Sequence, residues 1–190
     1  MDISILGVVV AGGQASRMNY IAKGLTQYQG KALIEYPLAA LDAVSTHVMV
    51  NANDLEAYQN LGVPVFADDS ACHEKGPLSG IYAALLKAQE LGVTHLLISP
   101  CDTPCVSHHV FELLKQSAQA ESDTLYYIES DSGIQPLHAI MPVAGLAEKL
   151  EQFLAGQARV MLFYRNMGAK AVYWQEEGDF LNINYLAQLS

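Results

Sequence analysis

Three groups along the chain could do chemistry together. A glycine pair, Gly12-Gly13, is followed by two cations, Arg17 and Lys23, and far downstream a carboxylate, Asp102, stands between Pro100 and Pro104. Glycines lack the Cβ atom that keeps a ligand off the main chain, so backbone N–H groups can close on phosphate oxygens and adopt positive φ. Arg17 and Lys23 add charge of the sign a polyphosphate needs. Asp102 has the opposite sign and would repel a triphosphate unless a divalent cation lay between them. Mg²⁺ suits that position, because it takes one or two carboxylates with phosphate oxygens and keeps its waters. Spacing excludes two familiar phosphate loops, since neither G-x-G-x-x-G nor G-x-x-x-x-G-K-[ST] occurs here. By itself Gly12-Gly13 is also readable as a plain strand-to-helix turn, and Arg17 as a solvated charge.

These groups need elements to position them. The uninterrupted run Ile5 to Val10, rich in β-branched Val, reads as a parallel strand covered on both faces and emptying into Ala11-Gly12-Gly13. Further strands are expected at His47 to Asn51, Val63 to Ala67, His95 to Ser99, Thr124 to Ile128, Gln135 to Met141 and Ala171 to Trp174. Helices are expected over Leu33 to Val44, from Asn53 (as N-cap, with Glu56 three residues on), from Ile81 to the Gly92 stop, over Ser107 to Gln119, Leu146 to Phe153 and Arg159 to Met167, with a last turn at Tyr185 to Leu189. Phe180 to Asn184 reads as extended. Strand and helix alternate at short spacing, which predicts an α/β fold: a doubly wound, mainly parallel sheet in a three-layer α/β/α sandwich. In such a sheet the ends carrying Ala11-Gly12-Gly13, Asn51, Asp69 and Asp102 fall on one edge, where open α/β sheets bind ligands. Each of these residues is individually also a common turn former or cap.

Composition narrows the class. With 190 residues and 51% hydrophobic content, residues 1–190 are expected to form one domain with a sizeable core. The 20 acidic residues against 10 Lys and Arg leave a net charge of −10, which argues against nucleic acid and anionic membrane as partners. No apolar run approaches the ~20 residues of a membrane span, and Asp2 stands where a signal peptide carries positive charge, so a cytoplasmic location is expected. Cys72, Cys101 and Cys105 show no zinc-like spacing and read as packing residues or incidental thiols. His108 and His109 read as a helix start without a carboxylate at ligand spacing.

Ordered along the chain, Val8 to Lys23, Val48 to Asn51, Asp69, Gly76-Pro77-Leu78-Ser79-Gly80, Pro100-Cys101-Asp102-Thr103-Pro104, Arg159-Val160-Met161 and Asn182-Ile183-Asn184 resemble the molybdenum cofactor guanylyltransferases. The likeness spans essentially the whole chain, more loosely in its second half. It implies the nucleotide-diphospho-sugar transferase fold and transfer of GMP from GTP to the terminal phosphate of molybdenum-molybdopterin, with release of pyrophosphate. It implies that Val10, Ala11, Gly12, Gly13, Lys23, Asn51, Asp69 and Asp102 bind GTP, that Asp102 holds Mg²⁺, and that Lys23, Asp102 and Arg17 carry catalysis. Gln135, His138, Arg159, Asn182 and Asn184 are the implied molybdopterin contacts. Implied partners are GTP, molybdenum-molybdopterin, proteins that deliver molybdopterin and chaperones of molybdoenzymes, acting with a monomer or weak oligomer. CTP in place of GTP, a sugar-phosphate acceptor, or a non-catalytic nucleotide-binding homologue remain alternatives. Two positions depart from the family pattern L-A-G-G-x-S-x-R-M-G…D-K: Asn19 replaces glycine, and Ala22 replaces the aspartate before Lys23, removing a carboxylate that could orient it.

Overall fold

The computed structural model describes residues 2–12, 22–175 and 177–183. Gly13, Arg17, Asn19, Asn184 and the turn expected at Tyr185 to Leu189 lie outside these described residues. The first strand, β1 (Ile5–Val10), is buried on both faces, as its unbroken apolar run requires. It pairs in parallel with β4 (His47–Asn51) on one side and β6 (His95–Pro100) on the other. Beyond β4 lies the short β5 (Val65–Phe66), also parallel. On the far side of β6 come β8 (Gly133–Pro142), β7 (Tyr126–Ser130) and β9 (Lys170–Trp174), giving a seven-stranded sheet of order β5-β4-β1-β6-β8-β7-β9. Only β8 runs against the rest, so the sheet is mainly parallel as expected. A separate hairpin of β2 (Gln27–Tyr28) and β3 (Lys31–Ala32) follows β1 and escaped sequence reading, because two residues per strand leave no period to detect.

The period-two alternation of the strands divides the core into two layers. Leu6 and Val8 of β1, with Leu96 and Ile98 of β6, face α3 (Pro77–Leu91), α5 (Leu146–Leu154) and α6 (Val160–Asn166). Ile5 and Val9, with Leu97, face α1 (Glu35–Asp42) and α4 (His108–Ala120). Each fully buried aliphatic side chain contributes about 1.5–3 kcal/mol relative to exposure, so both layers hold the sheet firmly. This is the three-layer sandwich the alternation predicted.

Local chemistry sets the helix ends. Gly76 enters α3 with φ of 65°, a conformation that disfavours L side chains, and Pro77 follows at the first helical position, where its missing N–H costs nothing. Ser107 caps α4 by accepting from His109 N at 3.2 Å. The short α2 (Leu55–Tyr58) is capped by Asp54, which accepts from Ala57 N at 3.0 Å, and not by Asn53 as the sequence suggested; Asn53 is engaged elsewhere. Glu177–Phe180 forms a 3-10 turn where an extended segment was expected to begin.

Candidate active site

The four parallel strand ends meet at one level. Val10 stands opposite both Asn51 and Pro100, and Asn51 opposite Phe66, so the segments that follow β1, β4, β5 and β6 leave the sheet side by side. Main-chain bonds carry the ladder one step further, with Ala11 N donating to Asn51 O at 2.8 Å and Ala52 N to Phe66 O at 2.9 Å. Val10, Ala11 and Gly12 therefore share an edge with Asn51, Asp69 and Asp102.

Lys23 reaches this edge through a built support. It begins the 3-10 turn Lys23–Leu25, whose Gly24 is buried. Gly24 N donates to the Tyr58 hydroxyl at 3.2 Å, and Gly24 O accepts from Ile34 N at 2.9 Å. A Cβ at Gly24 would lie 3.0 Å from the Tyr58 hydroxyl and 3.2 Å from Ile34 Cβ, so glycine lets α2 and the start of α1 close around the turn without these neighbours giving way. The Lys23 ammonium then donates to Asp102 Oδ2 at 2.6 Å, with both side chains largely shielded from solvent. Lys23 is thus oriented by the carboxylate 79 positions away in sequence. Ala22, the departure from the family pattern, is itself 8% exposed and packs into the core. Its methyl group leaves Lys23 with a carboxylate partner all the same.

Asp102 uses only one oxygen on Lys23. The other, Oδ1, is buried without a hydrogen-bond partner among the described residues. A buried carboxylate oxygen in that condition is costly unless a donor or cation completes it. That hard anionic oxygen, beside a chain segment suited to phosphates, fits Mg²⁺. The loop that carries Asp102 is held from behind. Asp102 O accepts from Ile183 N at 2.9 Å, Thr103 is 2% exposed, and its hydroxyl pairs with His138 Nε2 at 3.1 Å. Burial pushes the preceding Cys101 thiol up to about 12, which leaves it an inert packing group; Cys72 is buried and Cys105 exposed, and all three are free thiols.

Around Asn51 the structure adds Asp68, one of the two acids Asp68-Asp69 at the end of β5, and Asn53, neither of which the sequence reading assigned to the nucleotide. Asn51 is wholly buried, and its Nδ2 donates to Asp68 Oδ1 at 3.0 Å. Asn53 Nδ2 donates to Asp68 Oδ2 at 3.2 Å, and Asn53 Oδ1 accepts from Asp68 N at 2.9 Å. Asp69, the neighbour named from the family pattern, uses its Oδ1 to accept from Ala71 N at 2.9 Å and caps the 3-10 turn Ser70–Cys72. Of the paired carboxylates, Asp68 is the one bonded to Asn51. The signal available in the sequence was only that two acids stand at a strand end, and which of them turns inward depends on the backbone of the loop.

The residues expected at the acceptor side are distributed along β8 and beyond. The β7–β8 ladder jumps from Tyr127↔Ala139 to Ile128↔Gln135, so Pro136, Leu137 and His138 bulge out of the pairing. Proline, which has no N–H to give a ladder, is at home there. Opposite sides of the bulge are fastened: Tyr164 of α6 donates its hydroxyl to Pro136 O at 2.7 Å, and His138 binds Thr103. His138 is 2% exposed and lies between Phe111 and Phe180, so its ring backs the Asp102 loop and does not face solvent. Burial pushes its imidazole down to about 3, which keeps it neutral. Gln135 is half-buried, while Arg159, just before α6, and Asn182 are exposed. On the surface of α4, His108, His109 and Glu112 bring three ligand atoms within 4.8 Å of one another, which corrects the expectation that no carboxylate accompanies the histidine pair. Among the described residues no helix is long and apolar enough to cross a membrane.

Comparison with known proteins fits this geometry. The family model described as MobA-like NTP transferase domain matches residues 7–171. A molybdenum cofactor guanylyltransferase of Mannheimia succiniciproducens is 37% identical over 193 residues, covering 100% of this chain and 99% of that protein. One from Haemophilus influenzae is 34% identical, with 100% and 97% covered. Among solved structures, molybdopterin-guanine dinucleotide biosynthesis protein A of Archaeoglobus fulgidus superposes with a TM-score of 0.71 at 23% identity, over 97% of this chain and 94% of that one. The 2-C-methyl-D-erythritol 4-phosphate cytidylyltransferase of Thermus thermophilus gives 0.68 at 15% identity, over 100% and 96%. These two structures speak for the fold, whereas the sequence matches extend along the entire chain. By that full-length likeness the chain belongs to the MobA-like NTP transferase family.

Proposed function

We propose that this protein transfers GMP from GTP to the terminal phosphate of molybdenum-molybdopterin, releasing pyrophosphate, and that it does so in the cytoplasm with Mg²⁺. The observation that carries the reading is the match, over its full length, to relatives named molybdenum cofactor guanylyltransferase. A phosphate oxygen of the acceptor attacks the α-phosphorus of GTP; the new P–O bond forms as the bond to the β-phosphate oxygen breaks, and pyrophosphate leaves with the electron pair. No protein nucleophile is required. Catalysis of this kind rests on positioning and on neutralising charge.

The chain's own residues supply those effects. Gly12 and the amides after β1 let phosphate approach the main chain, and the Lys23 ammonium, held by Asp102 Oδ2, brings positive charge to oxygens that gain negative charge as the bond breaks. Arg17 and Gly13 belong to the same segment by sequence. Asp102 Oδ1 would hold Mg²⁺, which when bound screens phosphate charge and acts as a Lewis acid at phosphoryl oxygens. Asn51 and Asp69 are assigned to the nucleotide, and Gln135, Arg159, Asn182 and Asn184 to the molybdopterin half. His138, expected at that half, is enclosed behind Thr103 and supports the Asp102 loop. A pyrophosphate-release assay with molybdenum-molybdopterin and GTP, CTP or UTP in turn tests the reading. Release with GTP only is expected; release with CTP only, or nucleotide binding with no release, would overturn it.

A further inference from the structure

We infer that Asp68, assisted by Asn53, is a positioning residue that fixes which end of the Asn51 amide meets the nucleotide, and so sets the affinity for GTP. This rests on the proposed guanylyltransferase reading and goes beyond it by assigning work to a residue outside the expected site.

The argument begins with donors and acceptors. An amide side chain offers two donors on nitrogen and an acceptor on oxygen, and the two ends have nearly the same shape, so the partner decides the orientation. A carboxylate can only accept. Asp68 Oδ1 lies 3.0 Å from Asn51 Nδ2, and Phe66 O, another acceptor, lies 3.5 Å from the same nitrogen. The nitrogen is therefore turned toward β5, and Oδ1 is turned the other way. Asp68 in its turn cannot swing freely, because Asn53 binds it twice, through Nδ2 to Oδ2 at 3.2 Å and through Oδ1 from the Asp68 N–H at 2.9 Å. Asn53 Nδ2 also lies 3.5 Å from Gly12 O, which ties the pair to the start of the glycine loop.

What Oδ1 faces is the second observation. A Cβ at Gly80 would stand 2.4 Å from this oxygen, and one at Gly12 3.2 Å away, so Oδ1 lies between Gly12, where the glycine loop begins, and the first turns of α3. It is buried and has no hydrogen-bond partner among the described residues. A buried acceptor directed at the loop expected to hold GTP calls for a donor from that nucleotide. GTP carries suitable donors in two places: the N1–H and amino group of guanine, and the ribose hydroxyls. If Asp68 became Asn, its own amide could offer N–H, the Asn51 amide could turn over, and a donor would replace the acceptor there.

The test measures Asp68→Asn and Asp68→Glu beside wild type, by calorimetric titration with GTP, ITP and 2′-deoxyGTP and by steady-state pyrophosphate release. Loss of a hydrogen bond to a charged group changes affinity by about tenfold or more, so Asp68→Asn is expected to raise Kd and KM for GTP at least that far. Its kcat should stay within about twofold, as expected for removal of uniform binding. Asp68→Glu, which keeps an acceptor-only carboxylate, should recover most of the affinity. A smaller wild-type preference of GTP over ITP than over 2′-deoxyGTP would place the donor on the ribose; the reverse would place it on the guanine amino group; each supports the orientation and identifies what it reads. Asn53→Ala, at an exposed position, should show the same pattern more weakly and covers the case in which Asp68→Asn does not fold. Equal GTP affinity in wild type, Asp68→Asn and Asn53→Ala, or a loss confined to kcat, would overturn the inference. Failure of wild type to bind GTP would instead overturn the guanylyltransferase reading.

Discussion

Gly80→Ala sets two effects of opposite sign against each other. Gly80 sits in the first turns of α3, buried and helical, and its φ is not positive. Helix propensity alone predicts that alanine stabilises the protein by about 0.5–1 kcal/mol. The added methyl would stand 2.4 Å from Asn51 Oδ1 and 3.0 Å from Val10 Cγ1, so something must shift. Asn51 is a side chain, but it is 0% exposed and tied to Asp68, and Val10 belongs to the central strand. Overpacking of this kind costs about 1–3 kcal/mol. Displacing the amide also weakens a hydrogen bond to a carboxylate, worth about 1.5–3 kcal/mol. The balance is a destabilisation of about 1.5–5.5 kcal/mol. At this chain length each kcal/mol lowers the midpoint of thermal unfolding by about 2–4 °C. Urea unfolding and thermal melts of the variant give the sign directly. The double variant Gly80→Ala, Asn51→Ala removes the clashing oxygen and should lose less stability than the two single losses combined, because residues in contact are not additive. A Gly80→Ala protein more stable than wild type, or strictly additive losses, would refute the close approach of Asn51 to α3.

Lys23→Ala and Asp102→Ala are each expected to lower turnover by about 10²-fold or more in a pyrophosphate-release assay, the scale of losing one preorganised electrostatic group; near-normal rates of Asp102→Ala at saturating Mg²⁺ would contradict its assignment as metal holder. His138 is neutral in the fold down to about 3, while an unfolded histidine gains its proton near 6.5, so its contribution is complete above that pH and is lost progressively as pH falls from 6.5 toward 3. Buried His95 is also shifted down, chiefly by desolvation, and acts with the same sign. Urea unfolding of wild type should therefore weaken on acidification over that interval, by up to about 1.4 kcal/mol per pH unit for one proton, and His138→Leu should flatten the slope. Tyr58→Phe leaves the buried Gly24 N–H without an acceptor, so a stability loss of about 1–3 kcal/mol is expected in the same measurement, together with reduced turnover as the Lys23 turn loosens.

Much of the fold was legible because its signals are local. The apolar run of β1, the Gly92 exit of α3 and the start of α4 at Ser107 each act within a few residues, whereas α3, expected from Ile81, begins at Pro77. Where signals were weak or in competition, sequence reading went astray. Asn53 and Asp54 are both good cap residues; in the fold Asn53 bonds Asp68 and Asp54 takes the cap. The bulge at Pro136 to His138 interrupts a segment whose apolar content reads as plain strand, and the β2–β3 hairpin is too short to announce itself.

The same division holds at the site. The sequence by itself determined that a glycine loop and the acids of several strands share one sheet edge, since alternating strand and helix can be wound into a parallel sheet in few other ways. The tertiary structure decided the pairings across that edge. Lys23 finds its carboxylate in Asp102 and not at position 22, Asp68 and not Asp69 turns toward Asn51, and His138 sits behind Thr103. Each of these depends on side-chain direction across distant loops, to within a hydrogen bond's length, and residue type and spacing along the chain carry no such information.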